Sequence, residues 1–109
     1  MHKLCVVEDL AEGECREFDW EGEERRHSGF VVRWQGQLHA YRNHCPHTGA
    51  PLNWQPEQFL SPDGDRLMCA MHGALFEIDG GQCIYGPCQG QALTPLAVEV
   101  RQGCLYLLE

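Results

Sequence analysis

The chain has 109 residues, enough for one domain and too few for a second of ordinary size. It is 43% hydrophobic and 22% charged, a globular composition rather than a disordered one. Sixteen acidic residues against eight basic ones leave a formal charge of -8, which argues against nucleic acid and anionic membrane surfaces and favours a protein partner with a basic face.

No stretch approaches the ~20 apolar residues of a membrane helix. No basic-then-apolar leader opens the chain, so the expected address is cytoplasmic.

In chain order, Leu4-Cys5-Val6-Val7 is a short apolar run of strand-favouring residues. Leu10–Glu14 has room for a turn of helix, and the acidic stretch Asp19–Glu24, broken by Trp20 and Gly22, reads as an exposed, solvated turn. Gly29–Trp34 is a second strand run, and Gln35-Gly36 reverses it into Leu38–Tyr41. From Asn43 to about Asp65 the chain is irregular and proline-rich; a helical turn near Gln55–Phe59 is restricted by Pro51, Pro56 and Pro62. Loops of this length in small domains usually carry function. Ala74–Ile78 then meets Gln82–Tyr85 across Asp79-Gly80-Gly81, and Leu96–Val100 meets Cys104–Leu108 across Gln102-Gly103. Many short strands separated by Gly, Pro and Asp turns predict an all-β fold, an antiparallel β-sandwich or small barrel in a single domain over residues 1–109.

Seven cysteines is a heavy load for this length, and an odd number cannot all pair within one chain. In a reducing compartment such a load points to metal, to catalysis or to small buried side chains. Two short motifs sit at the edges of the irregular middle: Cys45-Pro46-His47-Thr48-Gly49 and Cys69-Ala70-Met71-His72-Gly73. Each lies where a strand runs out into a loop, so Cys45, His47, Cys69 and His72 can converge from two hairpin tips. Two thiolates and two imidazoles suit a [2Fe-2S] cluster with the cysteines on one iron and the histidines on the other. Gly49 and Gly73 permit the sharp turns that bring backbone N–H groups towards the sulfurs. The same donor set could close a tetrahedral zinc site. Structural zinc fingers pair like with like, however, whereas here Cys and His alternate within each motif.

The flanking residues C-P-H-T-G-A-P-L and C-A-M-H-G-A-L-F, then G-P with a later P-L, resemble the Rieske iron–sulfur domain over roughly residues 39 to 108. That resemblance implies a Rieske-type antiparallel β-sandwich or barrel with a cluster-binding subdomain of two ligand loops, approximately 43–87. It implies one [2Fe-2S] cluster on Cys45, His47, Cys69 and His72, and places Gly86-Pro87 in a third loop that covers it. Respiratory members of the family join an extra cysteine in each ligand loop as a disulfide; the matching positions here are Ala50 and Met71. Those members also aim a serine and a tyrosine hydroxyl towards the cluster, where this chain has Ala74 and Phe76. Hydrogen bonds to the sulfurs favour the reduced cluster, so their absence implies a low potential.

The pattern is therefore similar to soluble Rieske-type ferredoxins of bacterial ring-hydroxylating dioxygenase systems, and next to small subunits of assimilatory nitrite reductases. This likeness implies a one-electron carrier rather than an enzyme. A flavoprotein or iron–sulfur reductase fed by NAD(P)H is the implied donor; an oxygenase, or a nitrite reductase large subunit, is the implied acceptor. A metal-stabilised structural or regulatory module is the reading from another class. Cys5, Cys83 and Cys104 lie in strand runs and are expected to be small core residues. Cys15 and Cys88 carry no assigned role. His2, His27 and His39 are read as ordinary surface or strand residues; His44 adjoins Cys45, with its side chain expected to point away from that of Cys45; Trp20, Trp34 and Trp54 are read as packing aromatics.

Overall fold

The computed structural model describes residues 2–21, 26–44, 46, 52, 59–69, 73–86 and 89–108. Among these residues nine strands follow in order: β1 (His2–Val6), β2 (Cys15–Glu21), β3 (Arg26–Trp34), β4 (Gln37–Arg42), β5 (Leu67–Met68), β6 (Leu75–Phe76), β7 (Cys83–Tyr85), β8 (Val98–Arg101) and β9 (Cys104–Leu107). They form three antiparallel three-stranded sheets, ordered β1-β9-β8, β2-β3-β4 and β5-β6-β7. Among the described residues the one helical segment is a 3-10 turn at Val7–Asp9.

The continuous apolar run of β3 has a simple cause. Successive strand residues face opposite sides, and Phe30, Val31 and Val32 are all fully buried because both faces of the β2-β3-β4 sheet are covered. Val31 and its partner Ala40 pack with Cys5, Leu10 and Leu105 towards the β1-β9-β8 sheet. Phe30 and Val32 pack with Tyr41, Leu67, Phe76 and Ile78 towards the β5-β6-β7 sheet. The small sheet, whose β5 and β6 flank the second motif, is thus built onto a doubly buried central sheet.

The two-residue reversals are as the sequence predicts: Gln35 and Gly36 take φ of 51° and 77°, and Gln102 and Gly103 take 52° and 77°. Other segments differ. The helical turn lies at Val7–Asp9, before Leu10–Glu14; there Gly13 N–H donates to Arg33 O and Arg33 N–H to Glu14 O, drawing the stretch onto the sheet. Asp19–Glu21 belong to β2, opposite Ser28, His27 and Arg26, so the acidic stretch begins as a strand. An edge strand needs apolar side chains on one face only. Phe18 and Trp20 provide them between Glu17, Asp19 and Glu21, and the Trp20 ring stacks on that of His27 at 5.2 Å. Residues 22–24 of the acidic stretch lie outside the described residues, as do 55–58 of the second candidate helical turn. β6 is shorter than the predicted Ala74–Ile78, since Ile78 already turns into the hairpin bend.

Candidate metal centre

Of the four motif residues expected to bind a cluster, Cys45, His47 and His72 lie outside the described residues, and so do Gly49, Ala50 and Met71. Cys69 is described. It follows β5 directly and is fully buried. Its N–H donates to Ala74 O and its carbonyl accepts from Gly73 N–H, both at 2.9 Å. These bonds hold Cys69 directly against Gly73 and Ala74, and Gly73 adopts φ +67°. A side chain at that conformation is strained, which accounts for glycine after the histidine. The chemistry of a thiolate ligand fits such a place: excluded from bulk water, with its backbone already fixed.

Gly86, the first residue of the expected third loop, packs closely against Ala74. Gly86 has φ +106°, and a Cβ built on it would lie 2.8 Å from Ala74 Cα. The backbone after β7 therefore rests on the end of the second motif, where the resemblance to the Rieske family places a covering loop. Pro87 and Cys88 lie outside the described residues.

The first motif is framed by a residue that the sequence pattern did not single out. Asn43, two positions before Cys45, is buried, and its Oδ1 accepts the N–H of Leu52 at 2.7 Å. Its own N–H donates to Ser28 O on β3. The side chain of Asn43 thus ties the two ends of the loop that carries Cys45 and His47, while its backbone N–H fixes them to the central sheet. Asparagine is common in turns, so no signal in a single sequence distinguishes this one. Tyr41 acts similarly for the β6–β7 hairpin. Its hydroxyl donates to Ile78 O at 2.7 Å and accepts Gly80 N–H at 3.0 Å, and burial holds its ionisation above the usual phenol range.

Ala74 and Phe76, the two positions where hydroxyls are missing, are both fully buried. Cys5 and Cys83 are buried as expected, with Cys83 Sγ 3.3 Å from Tyr85 O, whereas Cys104 is half-buried on the outer part of β9. Cys15 is half-buried against the core. His27 is half-buried, its Nδ1 accepting from Arg42 at 2.9 Å; His39 is half-buried in β4, and His2 and His44 are exposed. Trp20 and Trp34 pack against neighbours, and Trp54 lies outside the described residues. No helix among the described residues is long and apolar enough to cross a membrane.

The sequence model of the Rieske [2Fe-2S] domain matches residues 1–102. The ferredoxin component of the alkene monooxygenase system of Xanthobacter autotrophicus is 40% identical over 81 residues, which cover 74% of this chain and 60% of that protein. The chain therefore spans less than two thirds of that relative. Among solved structures, a chain in the complex of reduced oxygenase and oxidised ferredoxin of carbazole 1,9a-dioxygenase is 28% identical with a TM-score of 0.76, covering 96% of this chain and 89% of that one. The ferredoxin of Sphingomonas yanoikuyae B1 shares the fold at 24% identity, with a TM-score of 0.71 and coverage of 98% and 96%. The family match runs over nearly the whole chain, so the protein belongs to the Rieske [2Fe-2S] domain family and, with that membership, carries one Rieske-type [2Fe-2S] cluster.

Proposed function

We propose that the protein is a cytoplasmic one-electron carrier, a single Rieske domain over residues 1–109 whose subdomain at about 43–87 holds the cluster through Cys45, His47, Cys69 and His72. When bound, a Rieske cluster supplies a one-electron couple with all four protein positions filled, which leaves no coordination site for a substrate. A flavoprotein or iron–sulfur reductase is the donor and a terminal oxygenase the acceptor. The observation that carries this reading is buried Cys69 hydrogen-bonded to Gly73 and Ala74, with the Gly86 backbone seated on Ala74. Cys69 is thereby held through its own backbone in a buried place, which suits an electron carrier that reorganises little between redox states. The similarity to a monooxygenase ferredoxin component supports the choice of acceptor.

Within the site, the chain's own residues set the environment. Ala74 and Phe76 offer no side-chain hydroxyl and are closed to water. The formal charge of -8 further disfavours an added electron. The midpoint potential is therefore expected near the low end of the Rieske range of roughly -150 to +300 mV.

Iron and acid-labile sulfide analysis of anaerobically purified protein, with EPR of the dithionite-reduced form, tests the reading. About two irons and two sulfides per chain and a rhombic signal of low average g are expected. Cys45→Ser, Cys69→Ser, His47→Ala and His72→Ala should each abolish that signal. Zinc in place of iron would overturn the assignment, and a voltammetric midpoint well above zero would refute the low potential.

A further inference from the structure

Among the described residues few large apolar side chains are exposed, and two of them are consecutive: Ile84 at 37% and Tyr85 at 64%. They end β7, one residue before the loop that Gly86 begins. The register of the small sheet gives their position meaning. Met68 lies opposite Leu75, and Leu75 opposite Tyr85, so the three form one row across β5, β6 and β7. Leu67, Phe76 and Cys83 form the next row and are buried on the inner face. By the alternation of strand residues, Met68 and Leu75 belong to the outer face, where both are half-buried. Each member of the outer row is covalently joined to a loop at the candidate centre: Met68 to Cys69, Leu75 to Ala74 and Tyr85 to Gly86.

One step further from the loops the same face becomes charged. Arg66 lies 3.9 Å from Glu77 and 3.7 Å from Asp65. An apolar row with a polar border behind it is the composition of an interface core and rim. Its occupant is set by its place. A redox protein that approaches the loops closely enough to exchange an electron must also cover the residues adjoining them, and a chain of charge -8 selects a partner surface with basic groups at its border.

We propose that the row Met68–Leu75–Tyr85 is the ledge on which the electron-accepting oxygenase sits, with Tyr85 as its anchor. This rests on the protein being an electron carrier. A tyrosine that presents a large, stiff ring at small entropic cost is a common anchor of protein interfaces. Ile84 widens the ledge at the β-bulge between its two rows.

The test is stopped-flow reoxidation of dithionite-reduced protein by the terminal oxygenase that the wild-type chain reduces, normalised per cluster. Tyr85→Glu should lower the second-order rate constant about tenfold or more, and Tyr85→Phe should stay near wild type. Val100→Glu, which places the same charge at a 52% exposed apolar residue of β8, should have little effect. Iron content, EPR signal and midpoint of the Tyr85 variants should match the wild type. If the glutamate lowers cluster loading, Tyr85→Ser takes its place in the comparison. A loaded Tyr85 variant that transfers within twofold of wild type overturns the ledge. So does an equal loss in Val100→Glu, or a loss confined to reduction by the reductase. A wild-type chain with no cluster, or one that no oxygenase reoxidises, would instead overturn the carrier reading.

Discussion

Gly86 sits against Ala74 so closely that a methyl group has no place between them: its Cβ would lie 2.8 Å from Ala74 Cα and 3.0 Å from Ala74 Cβ. The contact joins the backbone after β7 to the backbone after the second motif, and neither side can yield. Ala74 is fully buried and its carbonyl is held by Cys69 N–H. Gly86→Ala should therefore cost roughly 2–4 kcal/mol, from overpacking together with a side chain at positive φ. Gly90→Ala is the control. Gly90 also has positive φ, at +89°, but nothing lies within 4 Å of its Cβ position, so strain alone should cost about 1 kcal/mol. Urea melts of the two variants should separate steric contact from strain, and only Gly86→Ala should also lower bound iron.

Asn43 makes a comparable prediction for the first motif. With Asn43→Ala the Leu52 N–H loses its partner in a buried place, which costs about 1–3 kcal/mol. Asn43→Asp keeps an acceptor and should retain most of the stability. Hydrogen exchange at the Leu52 amide gives the sharper readout: protected in wild type and in the aspartate variant, fast in the alanine variant. Equal protection in all three would show that the loop ends are held by other contacts.

Tyr41 links the central sheet to the β6–β7 hairpin, so its loss is felt in the small sheet rather than across the fold. Tyr41→Phe removes the hydrogen bonds to Ile78 O and from Gly80 N–H and should cost about 1–2 kcal/mol. Its ionisation is raised by burial, so the folded chain holds the phenol proton more tightly than the unfolded chain. Stability contributed by this group is complete below the ordinary phenol range near 10 and declines as pH rises beyond it. The phenylalanine variant should show a shallower fall in stability at alkaline pH; an unchanged slope would locate the alkaline sensitivity elsewhere, for instance at the Cys5 thiol, which burial also raises.

Much of this organisation was legible in the sequence, and what was not has physical causes. The two-residue hairpins were legible because Gln35-Gly36 and Gln102-Gly103 are local: positive φ at two adjacent positions fixes the reversal whatever surrounds it. That the chain carries a [2Fe-2S] cluster was legible because alternating Cys and His with trailing glycine is a chemical pattern written into adjacent residues, and the family match bears it out. β2 was not, since Glu17, Asp19 and Glu21 mask a strand whose stability comes from pairing with β3, a partner found only in the fold. Asn43 was not either. Its role is defined by the amide of Leu52, nine residues away, and by Ser28 on another strand. The row Met68–Leu75–Tyr85 depends on the register of three strands, one with a bulge, which no single segment encodes.

Glu12 shows how an exposed carboxylate can organise a turn that lies far from it in sequence. Its two oxygens accept the N–H groups of Gln35 at 2.6 Å and Gly36 at 3.0 Å, the two residues that reverse β3 into β4. Those backbone N–H groups hold its ionisation below the usual carboxylate range, with Arg33 adding a smaller pull in the same direction. The folded chain therefore releases this proton more readily than the unfolded chain. The stabilisation is complete above the ordinary carboxylate range and is lost as pH falls through the lowered folded value. Glu12→Ala should lower the melting temperature at neutral pH and flatten the decline in stability on acidification, while cluster content and EPR signal stay at wild-type levels. The turn lies at the end of β3 remote from Asn43, since the strand runs from Ser28, which holds Asn43, to Trp34, which precedes the turn. A loss of bound iron in this variant would mean that the β3–β4 turn and the candidate centre are coupled through the central sheet.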